Sequence, residues 1–187
     1  MMLDLSLVFV SLLMFGCHCA KAMLPIFAVY LIKYQSWSPS GYAVMLSSLY
    51  CSSAVLPLFV GMTVDKEQLD KRALLVGLLT CTVVGQALFA LSLHMDWYGL
   101  SIGAQCVFGL AASSLVVVQR TIIAAKFKGQ HAFALGCAMS ASNLAKICGK
   151  AAAAPLAVSG YIVGGNIYRL IACALSVLVR CLTCRFY

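Results

Sequence analysis

The run Tyr98-Gly-Leu-Ser-Ile-Gly-Ala-Gln-Cys-Val-Phe-Gly-Leu-Ala-Ala-Ser-Ser-Leu-Val-Val-Val-Gln-Arg-Thr-Ile122 carries no charged side chain before Arg120, close to its end. A helix of about 20 apolar residues crosses a hydrocarbon core of roughly 30 Å, and this run is long enough to do so. Its apolar residues are continuous. The strands of a lipid-facing barrel instead alternate apolar and polar over about ten positions. A spanning segment that is not part of a barrel must be a helix, because hydrocarbon offers no partner to an unpaired N–H or C=O.

Five further runs of the same kind flank it, and the six lie at about 5–32, 42–61, 73–93, 98–122, 132–154 and 159–182. The composition agrees: 63% of the 187 residues are hydrophobic and 10% charged, and the mean hydropathy is +1.00. A soluble domain wets its surface with about 25% charged residues, so the solvent of this chain is largely lipid. The expected fold is an all-α integral membrane domain of six transmembrane helices over residues 1–187, with no linker or repeat that marks a second domain. The first run is read as a retained helix. Only Met1 to Ser6 precede it, with Asp4 and no basic residue, and it is longer than the apolar region of a signal peptide.

The net charge of +8 does not describe a nucleic-acid surface, because Lys and Arg fall between and inside the apolar runs. Their first role is topological. Lys66, Lys71 and Arg72 follow the second run, Lys126 and Lys128 follow the fourth with Arg120 close by, and Arg180 and Arg185 lie in the tail. If all six runs cross, these groups share one side, where only Lys33 is clearly on the other. The positive-inside rule makes that side, with both termini, cytoplasmic.

The ten cysteines are scattered through apolar stretches as small hydrophobes and suggest no disulfide framework. Cys181-Leu-Thr-Cys184 at the cytoplasmic membrane edge reads as a palmitoylation site or as no site at all, rather than as a metal or redox site. His18, His94 and His131 have no metal-ligand spacing, so no cofactor or metal is expected. The Gly99/Gly103 and Gly160/Gly164 pairs read as close helix contacts.

The connection Gly61-Met-Thr-Val-Asp65-Lys66-Glu-Gln-Leu-Asp-Lys71-Arg72 resembles the signature loop between helices 2 and 3 of the major facilitator superfamily: a glycine, an aspartate four residues on with a basic residue after it, then a basic pair. Phe108-Gly, Ser114-Leu-Val-Val-Val-Gln119 and Phe127-Lys-Gly129 are similar to helix 4 and the following loop of that superfamily's lysosomal dipeptide transporter branch. The resemblance covers about residues 55–160. It implies one half of a two-half, about twelve-helix transporter, a lysosomal membrane, and a gating role for Gly61, Asp65, Lys66, Lys71, Arg72 and Arg120. Asp65 is expected to cap a helix or pair with Arg72, Arg120 or Lys126. Where the branch carries charges that grip the ends of a dipeptide, this chain has Gln105, Ser113 and Asn143.

Charge at membrane depth costs at least about 2.5–3.5 kcal/mol, which singles out Lys21, Lys146, Lys150 and Arg169. Asn143, Lys146 and Lys150 share a helical face at i, i+3 and i+7, and His18 and Lys21 share another. The resemblance implies that the first, second, fourth and fifth helices line a central cavity. Lys21, Gln119, Asn143, Lys146 and Lys150 are therefore the candidate solute-binding residues. The alternative is that the lysines snorkel to the interface, and the sequence leaves both open. It offers no account of Arg169.

No aspartate-rich motif, G-x-S-x-G elbow or intramembrane Ser/His pair suggests an enzyme. The expected function is transport of a small polar solute, such as a dipeptide or another carboxylate-bearing metabolite, by alternating access with a second six-helix half. The alternative is a truncated or degenerate paralogue, or an accessory subunit that needs a partner chain. Cysteine-accessibility mapping is expected to find residues 66–72 on the cytoplasmic side. Labelling from the lumen would overturn the topology.

Overall fold

A computed structural model of the chain describes residues 5–34, 36–64 and 71–158. Among these residues every regular element is a helix: α1 (Leu5–Leu12), α2 (Phe15–Met23), α3 (Ala28–Tyr34), α4 (Pro39–Val64), α5 (Lys71–His94), α6 (Tyr98–Lys126) and α7 (His131–Val158). Spans Pro39–Met62, Ala73–His94 and Tyr98–Lys126 are long and apolar enough to cross a membrane. The 28-residue α7 has the length but is interrupted by Ser140, Ser142, Asn143, Lys146 and Lys150. The run read at 159–182, with Arg169, Gly160/Gly164 and Cys181/Cys184, lies outside the described residues. So do Asp65 and Lys66.

The first run departs from the single helix expected over 5–32. It is divided into α1, α2 and α3. The second division falls at Pro25, which has no N–H to continue the ladder; just beyond it the Ala28 N–H turns to the Pro25 carbonyl at 3.3 Å, and the hydroxyl of Tyr42 donates to the carbonyl of Leu24 at 3.4 Å. The first division, at Leu13 and Met14, has no proline. Its cause is a side chain from α6, described below.

Local chemistry sets the other boundaries. Ser38 precedes Pro39 and accepts the Gly41 N–H at 3.0 Å, a hydroxyl N-cap with proline at the first helical position. The α5–α6 turn holds Asp96 at φ 51°, a left-handed conformation that the short polar side chain tolerates. Just inside that turn the buried hydroxyls of Ser92 and Ser101 share a hydrogen bond of 2.7 Å.

Helix α6 lies between α4 and α5 and packs extensively on both, whereas α7 packs on α2 and α1 and meets α6 only lightly. The close approaches are not at Gly99 and Gly103, the pair expected from spacing. A Cβ on Gly103 would meet nothing within 4 Å, and one on Gly99 would meet Trp97 Nε1 at 3.6 Å. They occur where backbones touch. A Cβ on Gly109 would meet the Leu49 carbonyl at 2.5 Å, one on Gly85 the Phe108 nitrogen at 2.9 Å, and one on Gly149 the Cys19 carbonyl at 2.6 Å. Spacing alone cannot say which glycine faces a neighbour. The main core gathers Leu49, Leu79, Phe89, Phe108 and Leu115 from α4, α5 and α6.

Gly109→Ala is expected to destabilise the bundle by about 1–3 kcal/mol through overpacking. Gly77→Ala, with nothing within 4 Å of the added carbon, is expected to be neutral or mildly stabilising, since alanine is the better helix former. Thermal melts in detergent check the pair, and equal melting temperatures would contradict the close crossing at Gly109.

Candidate functional site

The light α6–α7 contact leaves a cleft of about 280 Å³ between α2, α6 and α7. It is lined by His18 of α2, by Val116, Gln119 and Arg120 of α6, and by Leu135, Ala138, Met139, Ser142, Asn143 and Lys146 of α7. Both Arg120 and Lys146 are exposed and His18 is half-buried. No lining side chain is acidic among the described residues.

Lys146 is held by its own helix, donating from Nζ to Asn143 Oδ1 at 3.2 Å, the i, i+3 neighbour on the same face. It lies 15 residues on from His131, about 22 Å along the axis at 1.5 Å per residue. An ammonium on a membrane-spanning helix keeps its hydration only in a wet cleft or by reaching the interface.

Three of the five solute-binding candidates, Gln119, Asn143 and Lys146, therefore come together around one cleft. Two do not line it. Lys21 is turned toward α4, where Nζ donates to Ser53 Oγ at 3.4 Å; the Ser53 hydroxyl in turn donates to the Leu49 carbonyl at 2.7 Å or the Gly109 carbonyl at 3.2 Å. Lys150 is exposed one turn beyond Lys146. Of the gating candidates, Arg120 lies in the cleft. Gly61 lies in α4 with open space around it. Lys71 and Arg72 open α5, and Asp65 and Lys66 fall outside the described residues.

Gln119 does more than line the cleft. Its Nε2 donates to the Val10 carbonyl at 2.7 Å and to the Ser11 carbonyl at 3.5 Å. These two carbonyls sit at the division between α1 and α2. In an unbroken helix they would take the N–H groups of Met14 and Phe15. A side chain inserted into the hydrogen-bond ladder is a recognised cause of a helix kink, and the Gln119 carboxamide is that side chain here.

His18 is the titratable lining residue that the sequence did not single out for the site. Its signal was the face shared with Lys21, yet the two diverge: His18 faces the cleft and the longer Lys21 reaches α4. At the positions where the resemblance led to expect charges, Gln105 is fully buried with neither carboxamide atom hydrogen-bonded among the described residues. The Ser113 hydroxyl donates back to the Gly109 carbonyl at 2.7 Å. Asn143 is in the cleft.

Three helices long and apolar enough to cross a membrane, with a cleft lined by Arg120, Lys146 and His18 beside them, fit a multi-pass membrane protein. The family model described as the Major Facilitator Superfamily matches residues 7–183, and the chain belongs to that superfamily. No curated protein and no solved structure matches the chain.

With the native cysteines replaced, Met139→Cys and Ser142→Cys are expected to react with a charged, membrane-impermeant thiol reagent. Ile147→Cys, on an exposed position outside the cleft lining, should react only with a lipid-soluble maleimide. Equal reaction of all three with the charged reagent would mean that the cleft is not the distinct water path.

Proposed function

We propose that the chain forms one half of an alternating-access transporter for a small carboxylate-bearing solute, with dipeptides among the candidates. The solute's anionic group meets Arg120 and Lys146, and Asn143 orients the lysine. The observation that carries this reading is the presence of two cations with no acidic partner among the described lining residues of the cleft between α2, α6 and α7. Such charges are costly in lipid and useful toward an anion, which attracts both and supplies the missing counter-charge. A cleft of about 280 Å³ suits a metabolite smaller than the usual drug-sized ligand, whose pockets begin at about 300 Å³. A second six-helix half supplies the opposite wall. The distribution of Lys66, Lys71, Arg72, Lys126 and Lys128 supports cytoplasmic termini, and the branch resemblance supports a lysosomal membrane. Asp65 with its basic neighbours remains the proposed gating loop, while Lys21 and Lys150 serve outside the solute contact.

The test is uptake into proteoliposomes carrying the chain with its partner half. A charge-assisted hydrogen bond is worth about 1.5–3 kcal/mol. Lys146→Gln should therefore reduce uptake of carboxylate solutes about tenfold or more while sparing neutral analogues of the same size. Equal losses for both would leave Lys146 as a snorkelling residue and reject the anion reading.

A further inference from the structure

Gln119 stands at two places at once. It lines the cleft, and its amide nitrogen holds the α1–α2 division open by donating to Val10 and Ser11. The division has no covalent cause: there is no proline at Leu13 or Met14, and Gly16 lies beyond it, inside α2. The local backbone makes only a weak substitute turn, with Leu13 N–H donating to the Val10 carbonyl at 3.4 Å, and Met14 sits at φ −95°, ψ 1°, outside helical geometry.

A second observation marks the same spot. Ser11 Oγ is buried and has no hydrogen-bond partner among the described residues. Elsewhere in the bundle such hydroxyls turn back on the carbonyl four residues earlier, as those of Ser114 and Ser142 do at 2.8 and 2.9 Å. A polar atom left over in a dry interior is a cost, and it lies beside two carbonyls whose helical donors, Met14 and Phe15, are one turn away. The broken arrangement is thus supported at this point by one donated amide from another helix.

We propose that Gln119 makes the first transmembrane segment a ligand-sensitive element: a solute that draws the Gln119 carboxamide into the cleft releases Val10 and Ser11, and α1 and α2 join into one straighter helix. The two states exchange hydrogen bonds rather than lose them. In the structure the carbonyls of Val10 and Ser11 take Gln119 Nε2. With solute bound they take the N–H groups of Met14 and Phe15, and Nε2 donates to the solute carboxylate. A conformational change driven by a ligand requires a difference in its affinity for the two states, and here that difference is the hydrogen bond Gln119 can make to solute only when it lets go of the break. His18, on the α2 side of the break and in the same cleft, moves with the straightening and changes the shape of the site. This coupling rests on the anion reading of the cleft.

The test places nitroxide labels at Val8→Cys and Ile26→Cys, on either side of the break, in the chain with its other cysteines replaced. Pulsed electron resonance reads the distance, and equilibrium dialysis measures tartrate binding in parallel. Tartrate is a dicarboxylate and serves as the probe. In the wild-type segment, tartrate is expected to shift the distance distribution to longer values. Gln119→Met, which keeps the side chain's length and loses its donor, should show the longer distance without tartrate and no further shift with it. Gln119→Glu, which turns the donor into an acceptor, should do the same and guards against a packing artefact in the methionine variant. Wild-type distances in both variants would overturn the inference whatever tartrate does. Tartrate that binds without lengthening the segment would overturn the coupling and leave the anion reading standing. Failure of tartrate to bind at all would reject the anion reading and the coupling with it.

Discussion

Helices immersed in lipid gain little by hiding apolar side chains from one another, because the lipid tails are as apolar as the side chains. What remains is contact close enough for dispersion to accumulate and for polar groups to meet across helices. Helix α6 is the element on which this constraint falls. Gly109 lets it reach the Leu49 carbonyl of α4, and Gly85 of α5 lets it approach at Phe108. Around these contacts the hydroxyl of Ser53 spans from α4 to the Gly109 carbonyl, and the Tyr98 hydroxyl donates to the Gly41 carbonyl at 2.7 Å. The same rule ties α2 to α7 at Cys19 and Gly149. Backbones approach most closely within two groupings, α4–α5–α6 and α1–α2–α7; Met14, Cys17 and Ala20 join the core of the first, and a gap is left between α6 and α7.

That gap is where polarity is placed. Arg120 and Lys146 line it from the two groupings, together with His18 of α2. Two like charges lining one cleft repel, and water or an anion between them lowers that cost. Gln119 joins this electrostatic feature to a mechanical one, since the residue beside Arg120 also sustains the break in the first segment. A charged lining and a helix divided by a hydrogen bond from another helix meet at Gln119.

The sequence by itself determined that the chain is helical and membrane-embedded, and where most of its long apolar runs lie. Those properties follow from composition and from the need of each spanning backbone to satisfy itself, which are local quantities. It also placed Asn143 and Lys146 on one face, because helical periodicity alone relates residues three apart, and the loop at Gly61–Arg72 carried the family resemblance. It did not reveal the division of the first run at Leu13 and Met14. No residue there breaks a helix, and the cause is a carboxamide more than a hundred positions away in sequence. Nor did it tell Gly109 and Gly149 from Gly103, or send His18 into the cleft and Lys21 to Ser53. Each of those depends on which neighbour stands opposite, and only the tertiary structure decides that, because packing brings together residues whose separation along the chain carries no information about their contact.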